Sequence, residues 1–513
     1  MTSDRGGRET GAAQAGARRT PGAVRIRTAT GRWILLASVL GSSMALLDST
    51  VVNVALPHIG DDLGADLGRL QWTANAYLLT LAAFILLGGA LSDRFGRRRV
   101  FVVGIVWFAA ASLLCGLAPD TQTLIAARAL QGVGGALLTP GSLALIQASF
   151  HPDDRARAVG IWSGLGGVGA AVGPFLGGWL VDGPGWRWVF LLNLPLAAVC
   201  VPVALRHVPE SRAGVVPRRF DVSGALLGAL SLALVTYALI ATDWATGVLG
   251  VVAGALFVWA ERRHEAPMLP PGLFSSRVFT SVNLVTLLVY AAFGGFFFLI
   301  ALQLQVVSGY SALAAGTALL PTTLLMLTLS GRSAALGERV GPRAPLTTGC
   351  LLAAAGMLLM RRTGPDADYL TDVLPGLVVL GLGMVALVAP LTATVLGSVD
   401  EDRAGIASGV NNATARAAGL IAVAALPLLT GMGPDTYHEP GRFDTAYGHA
   451  LVLCAATLAA AALLSFSVLR RPARAPEAAP PPRPDCRTHC AVTAPPLNPG
   501  SDRTHRDGGP PAG

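Results

Sequence analysis

Three ionisable residues lie well inside long apolar segments of this chain: Asp48, Arg128 and Arg416. Charge within a membrane is costly, so a residue of this kind is by default a functional-site hypothesis. A carboxyl group can take up and release a proton, whereas a guanidinium stays charged and can pair with the carboxylate. These three residues are therefore candidates for moving a proton or for holding a polar group.

The positions of Asp48 and Arg128 predict similar depths in the membrane. Asp48 lies nine residues before Pro57, and Arg128 lies seven residues after Thr121, at the corresponding end of another segment. At 1.5 Å per helical residue these depths are about 13 Å and about 10 Å. Our hypothesis is that Asp48 carries a proton, because burial favours the neutral acid and a nearby Arg128 favours the carboxylate. The alternative is a permanent ion pair.

Arg416 is predicted to lie near the middle of the bilayer, about 18 Å into its segment from Ala404. The apolar segments of the second half contain no acidic partner for it. Backbone carbonyls, a substrate group and Asp48 itself all remain open as its partners. The lack of a second acid within the segments argues against substrates that carry two positive charges.

The composition excludes several classes of protein. The chain has 513 residues, of which 52% are hydrophobic and only 13% are charged, and its mean hydropathy is +0.56. Soluble domains carry about 25% charged residues, so an ordinary soluble enzyme, a disordered protein and a fibrous repeat are excluded. All 38 basic residues are Arg, as in the codon usage of a GC-rich bacterium. The basic residues form no stripe with aromatic residues between them, so no nucleic-acid partner is expected.

No cofactor or metal is expected from the cysteine pattern. Cys486 and Cys490 lie near the C-terminus, but no second cluster completes a four-ligand shell with them. A solvated, reduced tail is the favoured interpretation. The other four fall inside apolar segments: Cys115, Cys200, Cys350 and Cys454.

Apolar runs of about 20 residues, the length that spans a membrane, follow one another between two polar ends. Residues 1–32 contain no apolar stretch, so they are predicted to be a disordered cytoplasmic tail rather than a signal peptide. Residues 471–513 are predicted to be a second such tail. The runs are too continuous for barrel strands, so the fold class is an all-α polytopic membrane protein. The fourteen predicted spans are 33–56, 72–92, 100–118, 121–146, 157–181, 187–205, 222–242, 245–260, 278–305, 312–331, 344–361, 373–396, 404–430 and 447–470.

Arg residues between the spans predict the orientation. With the N-terminus inside, seventeen Arg residues fall in inner connections and five in outer ones, in agreement with the positive-inside rule. An even number of spans returns the C-terminus to the same side. We therefore expect a multi-pass protein of the bacterial cytoplasmic (inner) membrane with both termini in the cytoplasm.

An internal repeat divides the chain. Residues 89–99, between the second and third spans, read Gly-Ala-Leu-Ser-Asp-Arg-Phe-Gly-Arg-Arg-Arg, and a weaker copy at 334–343 places Glu338 opposite Asp93, 245 residues later. The same offset carries residue 33, the start of the first span, to residue 278, the start of the ninth. The predicted domains are therefore two six-helix bundles, 33–205 and 278–470, and a linker with two extra spans, 206–277.

These segments resemble a known family. Residues 89–99 are similar to the loop signature of the major facilitator superfamily. Further segments make the chain similar to its 14-span drug:proton antiporter family, of EmrB/QacA type. They are Leu47-Asp48-Ser-Thr-Val-Val-Asn53-Val-Ala-Leu-Pro57, Arg128-Ala-Leu-Gln131-Gly132, Gly169-Ala-Ala-Val-Gly173-Pro174-Phe-Leu-Gly177-Gly178, Trp186-Arg-Trp-Val-Phe-Leu-Leu-Asn193-Leu-Pro195, Gln303-Leu-Gln305 and Gly405-Ile-Ala-Ser-Gly-Val-Asn411-Asn412. The resemblance implies the major facilitator fold.

The resemblance also implies roles for residues of these motifs. Glycines four residues apart form a smooth helix face, which we expect to serve a rocking interface, and Pro174 bends its helix. The implied antiporter motif is Gly169, Gly173, Pro174, Gly177 and Gly178. The implied cytoplasmic gating loop is Gly89, Asp93, Arg94, Gly96, Arg97 and Glu338. Polar residues of the spans are candidate cavity contacts or, alternatively, interhelix hydrogen-bonding residues: Asn53, Asn75, Tyr77, Gln131, Trp162, Gln303, Asn411 and Arg416.

The predicted function is a proton-coupled antiporter that exports amphipathic organic compounds, such as drugs, antibiotics or a self-made natural product, by alternating access. The alternative is a facilitator-type importer or symporter of a polar metabolite, against which the Gly173-Pro174 motif and the fourteen spans speak. No nucleotide loop or nucleophile constellation indicates an enzyme. The expected partners are a small organic substrate, protons and the lipid bilayer, and a monomer is expected.

Overall fold

The computed structural model describes residues 24–212, 221–264, 267, 269–400 and 403–469. The sequence predictions for 1–23 and 471–513, with Cys486 and Cys490, lie outside the described residues. At ten positions within helices only the backbone is described: Ala156, Ser163, Gly167, Ala170, Ala171, Val222, Ala334, Glu338, Ala404 and Asp435.

Long helices follow one another through the described part of the chain. They are α1 Ala29–Leu63, α2 Leu67–Phe95, α3 Arg97–Gly116, α4 Thr121–Ser149, α5 Pro152–Asp182, α6 Arg187–His207, α7 Val222–Ala241, α8 Trp244–Arg263, α9 Arg277–Val307, α10 with its two parts Ala312–Ala318 and Leu320–Val340, α11 Arg343–Arg362, α12 Tyr369–Leu396, α13 Ala404–Thr430 and α14 Pro440–Val468. Short 3-10 helices, Pro271–Ser275 and Pro434–His438, lie in two connections.

Thirteen of these helices are long and apolar enough, over their described residues, to cross a membrane. The remaining one, α5, has 31 residues and is therefore about 46 Å long, more than the bilayer core requires. Lipid offers no partner to backbone N–H and C=O groups, so helices that satisfy these groups internally are the expected solution. The predicted all-α architecture with fourteen spans is confirmed.

The first helix begins earlier than the sequence predicted. α1 starts at Ala29, and the Thr28 hydroxyl accepts a hydrogen bond from the backbone at its first turn. Just before it, Val24 forms a backbone bridge with Phe150, in the connection between α4 and α5. The predicted tail boundary at residue 32 is therefore too far along the chain, because this backbone finds partners on another part of the molecule.

The two halves repeat the same set of helix contacts. In the first half α1 packs against α5 and α6, and α4 packs against α2 and α3. In the second half α9 packs against α13 and α14, and α12 packs against α10 and α11. These pairs correspond one to one when eight is added to each helix number. The repeat seen in the sequence is thus a repeat of the fold.

Two glycines at the 245-residue offset end equivalent helices. Gly96 follows α2 with φ +112°, and Gly341 follows α10 with φ +85°. The N–H of Gly96 donates to Ser92 O, and the N–H of Gly341 donates to Gly337 O. Positive φ is strained for residues with a Cβ atom, so glycine at these two helix ends follows from the backbone.

The inserted pair α7–α8 lies across the two halves. α7 packs against α8, and it also packs against α2 of the first half and α13 of the second. Trp72 of α2 contacts Tyr237 of α7, with ring centroids 6.3 Å apart. Below, the end of the bundle where α1 begins is called the proximal end, and the end where α1 finishes is called the distal end.

Candidate functional site

Asp48 lies in a buried polar cluster formed by α1, α3, α4 and α6. Only 2% of Asp48 and 1% of Arg128 is exposed. Arg128 Nη1 donates a hydrogen bond to Asp48 Oδ2, and the two form a salt bridge. The structure therefore places these two side chains in direct contact, away from water.

Gln131 connects both members of the ion pair, because it follows Arg128 by three residues and shares its face of α4. Its Oε1 accepts a hydrogen bond from Arg128 Nη1 at 2.7 Å, and its Nε2 donates to Asp48 Oδ1 at 2.7 Å. The amide can make both bonds only in one orientation. Gln131 therefore fixes the position of the guanidinium relative to the carboxylate.

Ser112 and Asn193 complete the cluster and were not selected as site residues from the sequence. Gln131 Nε2 donates to Ser112 Oγ at 2.8 Å, and Asn193 Nδ2 donates to Ser112 Oγ at 3.2 Å and to Asp48 Oδ1 at 3.4 Å. Asn193 stands in one of the family-like segments, which is a signal for it. A serine inside an apolar helix gives no such signal.

Arg128 is also held from its other sides. Its Nε donates to the backbone oxygen of Thr73 at 3.1 Å. The guanidinium carbon lies 4.5 Å from the centre of the Tyr77 ring and 5.7 Å from that of Phe190, where the faces of aromatic rings attract a cation. Breaking a buried pair of this kind by removing one partner costs about 3–5 kcal/mol. The pair therefore fixes α4 against α1 and α2.

A cavity of about 90 Å³ lies beside this cluster, between the two halves. Arg128 lines it, whereas Asp48 is not among its lining residues. The wall comes from five helices of both halves: Ser49, Asn53, Ala74, Tyr77, Leu78, Arg128, Gly294, Phe297, Phe298, Gly419 and Val423. The arrangement combines apolar and aromatic surface with few polar groups, as in sites for small organic molecules.

Arg416 lies one helical turn proximal to this cavity. Gly419 and Val423 line the cavity, and Arg416 precedes them by three and seven residues, so all three share one face of α13. Arg416 is half-buried, and Tyr77 and Tyr290 lie within range of its charge. Between described residues, no hydrogen bond or salt bridge of Arg416 is formed.

The remaining polar candidates hold helices together. Trp162 Nε1 donates to Ser42 Oγ at 2.9 Å, which joins α5 to α1. Asn411 Nδ2 donates to Thr286 Oγ1 at 2.8 Å, which joins α13 to α9. Both residues therefore form interhelix hydrogen bonds in this structure, the alternative considered for them, and their role in a cavity stays a prediction.

Gln303 and Asn75 also lie off the cavity. Gln303 is at the distal end of α9, where its Nε2 donates to Thr363 O and Asp444 Oδ1, both at 2.6 Å. Asn75 is fully buried in α2, and its amide forms no hydrogen bond with any described residue. Of the eight candidates, Asn53 and Tyr77 line the cavity, Arg416 lies next to it and Gln131 belongs to the Asp48 cluster.

The loop after α2 is tied together at the proximal end. Arg97 Nη2 forms a salt bridge with Asp93 Oδ1 at 2.9 Å, four residues earlier. Arg94 lies over the ring of Phe95, at 5.5 Å from its centre. Gly89 packs near Pro140 of α4. The Glu338 side chain, the proposed counterpart of Asp93, lies outside the described residues.

The antiporter motif of α5 packs mainly within the first half. A Cβ atom added to Gly169 would meet Ser43, and one added to Gly177 would lie 3.1 Å from Val51 Cα, both in α1. Gly173 faces Thr50 of the same helix. In this structure the face formed by these three glycines therefore touches α1 of the same half, and its role in a rocking interface stays a prediction. A different face of α5, which includes Pro174 and Gly178, contacts the other half.

Pro174 and Gly178 make that contact. The Pro174 backbone oxygen lies against Gly316 of α10, and Gly178 lies against Ala312 and Leu313. A short distal part of α5 thus meets the short first part of α10. Here the backbone of one half lies directly against the backbone of the other.

Every hydrogen bond between described residues of the two halves lies toward the distal end. Asp182 accepts from Ala312 N at 3.2 Å and from Leu313 N at 2.9 Å. In the other bonds Gln71 Nε2 donates to Val423 O at 2.6 Å and to Ala424 O at 3.3 Å, Gln305 Nε2 donates to Val54 O at 3.0 Å, and the Tyr437 hydroxyl donates to Pro57 O at 3.2 Å. At the proximal ends of α5 and α10, a Cβ atom added to Gly160, Gly164 or Gly331 would meet nothing within 4 Å. The halves are therefore joined at the distal end.

Comparison with known proteins decides the family. The model of the Major Facilitator Superfamily matches residues 38–424, about three quarters of the chain. The chain belongs to the Major Facilitator Superfamily. Curated members are similar along most of their length: the puromycin resistance protein pur8 of Streptomyces alboniger is 39% identical over 77% of this chain and 80% of its own. The cephamycin export protein CmcT of Amycolatopsis lactamdurans is 34% identical over 91% and 96%.

Solved structures of the superfamily share the fold. The inward-open xylose transporter XylE from E. coli superposes with a TM-score of 0.58 at 16% identity, covering 86% of this chain and 97% of its own. A peptide transporter POT in complex with sulfate gives 0.64 at 15% identity, covering 87% and 98%. At these identities the likeness concerns the fold alone. Within the described residues of this superfamily member, no group of three His, Cys, Asp or Glu side chains is placed to hold a metal ion.

Proposed function

We propose that this chain exports amphipathic organic compounds across the bacterial cytoplasmic membrane, in exchange for protons, by alternating access. The observation that carries the proposal is the buried Asp48–Arg128 pair at the wall of a cavity between the two halves. The relatives named above, a resistance protein and an export protein, support the direction of transport. The protein would act as a monomer with both termini in the cytoplasm, so that the proximal end is the cytoplasmic one.

The distribution of contacts between the halves supports loading from the cytoplasm. The interhalf hydrogen bonds of Asp182, Gln71, Gln305 and Tyr437 close the distal end. A substrate would therefore reach the cavity from the proximal end. Release on the opposite side requires these distal bonds to break while the proximal ends of the halves come together, which is the rocking motion described for this fold type.

Proton exchange would work through the ion pair. In the conformation described here Arg128, Gln131 and Asn193 all donate hydrogen bonds toward the Asp48 carboxylate. A proton on Asp48 would remove the negative partner of Arg128 and weaken the tie between α1 and α4. Arg128 also lines the cavity, so its position depends on both the proton and the substrate. One side chain thus connects the two exchanged species.

Transport by the purified protein in proteoliposomes tests the proposal. With an imposed pH gradient and a panel of dyes and antibiotics, we expect substrate movement opposite to proton movement. Movement of substrate together with protons would support the symporter alternative instead. Asp48→Asn should insert and fold but lose at least about tenfold in gradient-driven transport, because an amide cannot carry the proton.

A matched control lies in the same helix. Asp61 is exposed at the distal end of α1, so Asp61→Asn makes the same chemical change away from the cluster. It should transport at the wild-type rate. Full gradient-driven export by Asp48→Asn would overturn the role of Asp48 as proton carrier.

A further inference from the structure

A positive charge without a partner among the described residues lies beside the cavity between the halves. Arg128 lines the cavity, and the only acid of the cluster, Asp48, is not among the lining residues. Arg416 adds a second guanidinium one turn away, and no described residue forms a hydrogen bond or salt bridge with it. A charged group in a membrane without a partner is costly. A ligand that brings a negative charge would remove this cost.

The neighbours of Arg416 are aromatic and belong to both halves. Tyr290 precedes Gly294 by four residues on α9, as Arg416 precedes Gly419 by three on α13. Gly294 and Gly419 meet where these two helices cross, since a Cβ atom on Gly294 would lie 2.6 Å from Gly419 Cα. Tyr290 and Arg416 therefore lie on the same, proximal side of that crossing. Tyr77 of α2 is close enough to interact with Arg416 electrostatically.

The cavity is too small to hold a whole drug-sized molecule, so a bound substrate would also lie beside the Arg416 guanidinium. Its volume of about 90 Å³ is well below the about 300–1,000 Å³ of pockets for drug-sized ligands. A bound molecule can therefore fill the cavity only in part. Because hydrogen bonds between the halves close the distal side, the rest of the molecule must extend past Arg416 toward the proximal end.

We infer that Arg416 is a specificity residue that selects amphipathic organic acids, whose carboxylate or phenolate binds its guanidinium while an aromatic body occupies the space between Tyr77, Phe297 and Phe298. This inference rests on the proposed export function and adds the chemical class of the substrate. A guanidinium forms two parallel hydrogen bonds with a carboxylate, and this geometry fixes the orientation of the bound acid as well as raising its affinity. A cationic compound of the same shape would meet the guanidinium of Arg416 and be disfavoured.

Three dyes with one aromatic scaffold test the inference. Fluorescein carries two acidic groups, fluorescein methyl ester has lost the carboxylate, and rhodamine 123 is cationic. In proteoliposomes with a pH gradient, the wild-type protein should transport fluorescein fastest and rhodamine 123 slowest. Arg416→Gln should lower fluorescein transport about tenfold, the effect of losing one charged hydrogen bond. It should leave rhodamine 123 transport unchanged or faster, and Arg416→Lys should retain part of the preference for the acid.

Controls separate this inference from the proposed function. Arg442→Gln removes an exposed positive charge at the distal end and should not change the order of the dyes. If no dye moves with the gradient in the wild type, the proposed function fails. If dyes move but the cation moves as fast as the acid, or if Arg416→Gln slows all three equally, the inference fails while export stands.

Binding to the wild-type protein gives a test that needs no variant to fold. Each dye should quench intrinsic Trp fluorescence with an affinity that follows the same order as transport. Tighter binding of rhodamine 123 than of fluorescein would overturn the inference.

Discussion

Gln131 donates a hydrogen bond to Asp48 Oδ1 at 2.7 Å while accepting one from the guanidinium that neutralises Asp48 Oδ2. A single amide is therefore hydrogen-bonded to both charged groups of the buried pair. The carboxylate receives donors on both of its oxygens. Loss of this amide would leave the Asp48 carboxylate with one donor fewer and the Arg128 guanidinium with one acceptor fewer.

Replacement of Gln131 by Leu should change the pH dependence of transport. The substitution removes a hydrogen-bond donor to the Asp48 carboxylate and an acceptor for the Arg128 guanidinium, the pair through which proton exchange is proposed to work. The measurement is the rate of gradient-driven transport as a function of pH in proteoliposomes. Ser142→Ala is the matched control, because Ser42 donates to Ser142 at 2.7 Å and the pair joins the same two helices away from Asp48. If the pH dependence of transport changes equally in both variants, the cause is weaker packing of α1 against α4 and not loss of the contact with Asp48.

Loss of Asp182 should weaken the closed distal end. Its two carboxylate oxygens accept hydrogen bonds from the first N–H groups of α10, and removing such a cap costs about 1–2 kcal/mol. Asp182→Ala should therefore speed hydrogen–deuterium exchange at Ala312–Ala318. Asp62→Ala serves as the control, since Asp62 accepts hydrogen bonds from Trp186 and Arg187 within its own half. Unchanged exchange in Asp182→Ala would show that other contacts keep the distal end closed.

The glycine that ends α10 should be intolerant of a side chain. At φ +85°, Gly341→Ala should lower stability by about 1–2 kcal/mol, seen as a lower melting temperature in detergent. Gly331→Ala in the same helix should do the opposite, because a methyl group there meets nothing within 4 Å and Ala is the better helix former. A melting temperature of Gly341→Ala at or above that of the wild type would contradict the strained backbone.

Asp221 should stabilise the inserted helix pair only while it is ionised. Burial raises the pKa of the Asp221 carboxyl, but hydrogen bonds from the Gly224 N–H and the Ser223 hydroxyl outweigh it and leave the pKa below its usual value. A lowered pKa in the folded state means that the stabilisation is present at neutral pH and disappears as the pH falls. Asp221→Ala should therefore melt lower than the wild type at pH 7, by about 1 kcal/mol of cap energy, and the difference should shrink between about pH 5 and pH 3.

Asp243→Ala gives the comparison for this pH effect. Asp243 caps α8, and the Thr246 hydroxyl lowers the pKa of its carboxyl, but it faces solvent at the other end of the pair. At pH 7, Asp243→Ala should lower the melting temperature less than Asp221→Ala does. A difference for Asp221→Ala that stays constant down to pH 3 would mean that the carboxyl acts by size and not by charge.

Much of the architecture could be predicted from the sequence because lipid imposes strict rules. A long apolar run must be a helix, so the fourteen spans follow from composition, and the offset from Asp93 to Glu338 anticipates the repeat that Gly96 and Gly341 show in their backbone angles. Depth along a helix is also readable at 1.5 Å per residue, which is why Asp48 and Arg128 could be considered together.

The direction of each side chain around its helix could not be read from the sequence. Within a membrane both faces of a helix are apolar, so no polar stripe marks the buried side. For this reason Gln303 and Trp162 could not be separated from Asn53 as cavity residues. The helix that the face of Gly169 and Gly173 contacts could not be read from the sequence for the same reason. Ser112 was missed because a lone serine in an apolar helix has no distinguishing context.

The inserted helices cover the boundary between the halves on one side of the protein, so the two sides that face the lipid differ. Two lateral seams separate the halves, one between α2 and α13 and one between α5 and α10. α7 packs on both helices of the first seam, whereas among the described residues neither inserted helix packs on the second. A compound dissolved in the bilayer would thus have one side from which to slip between the halves. A twelve-helix relative of the same design would offer it two.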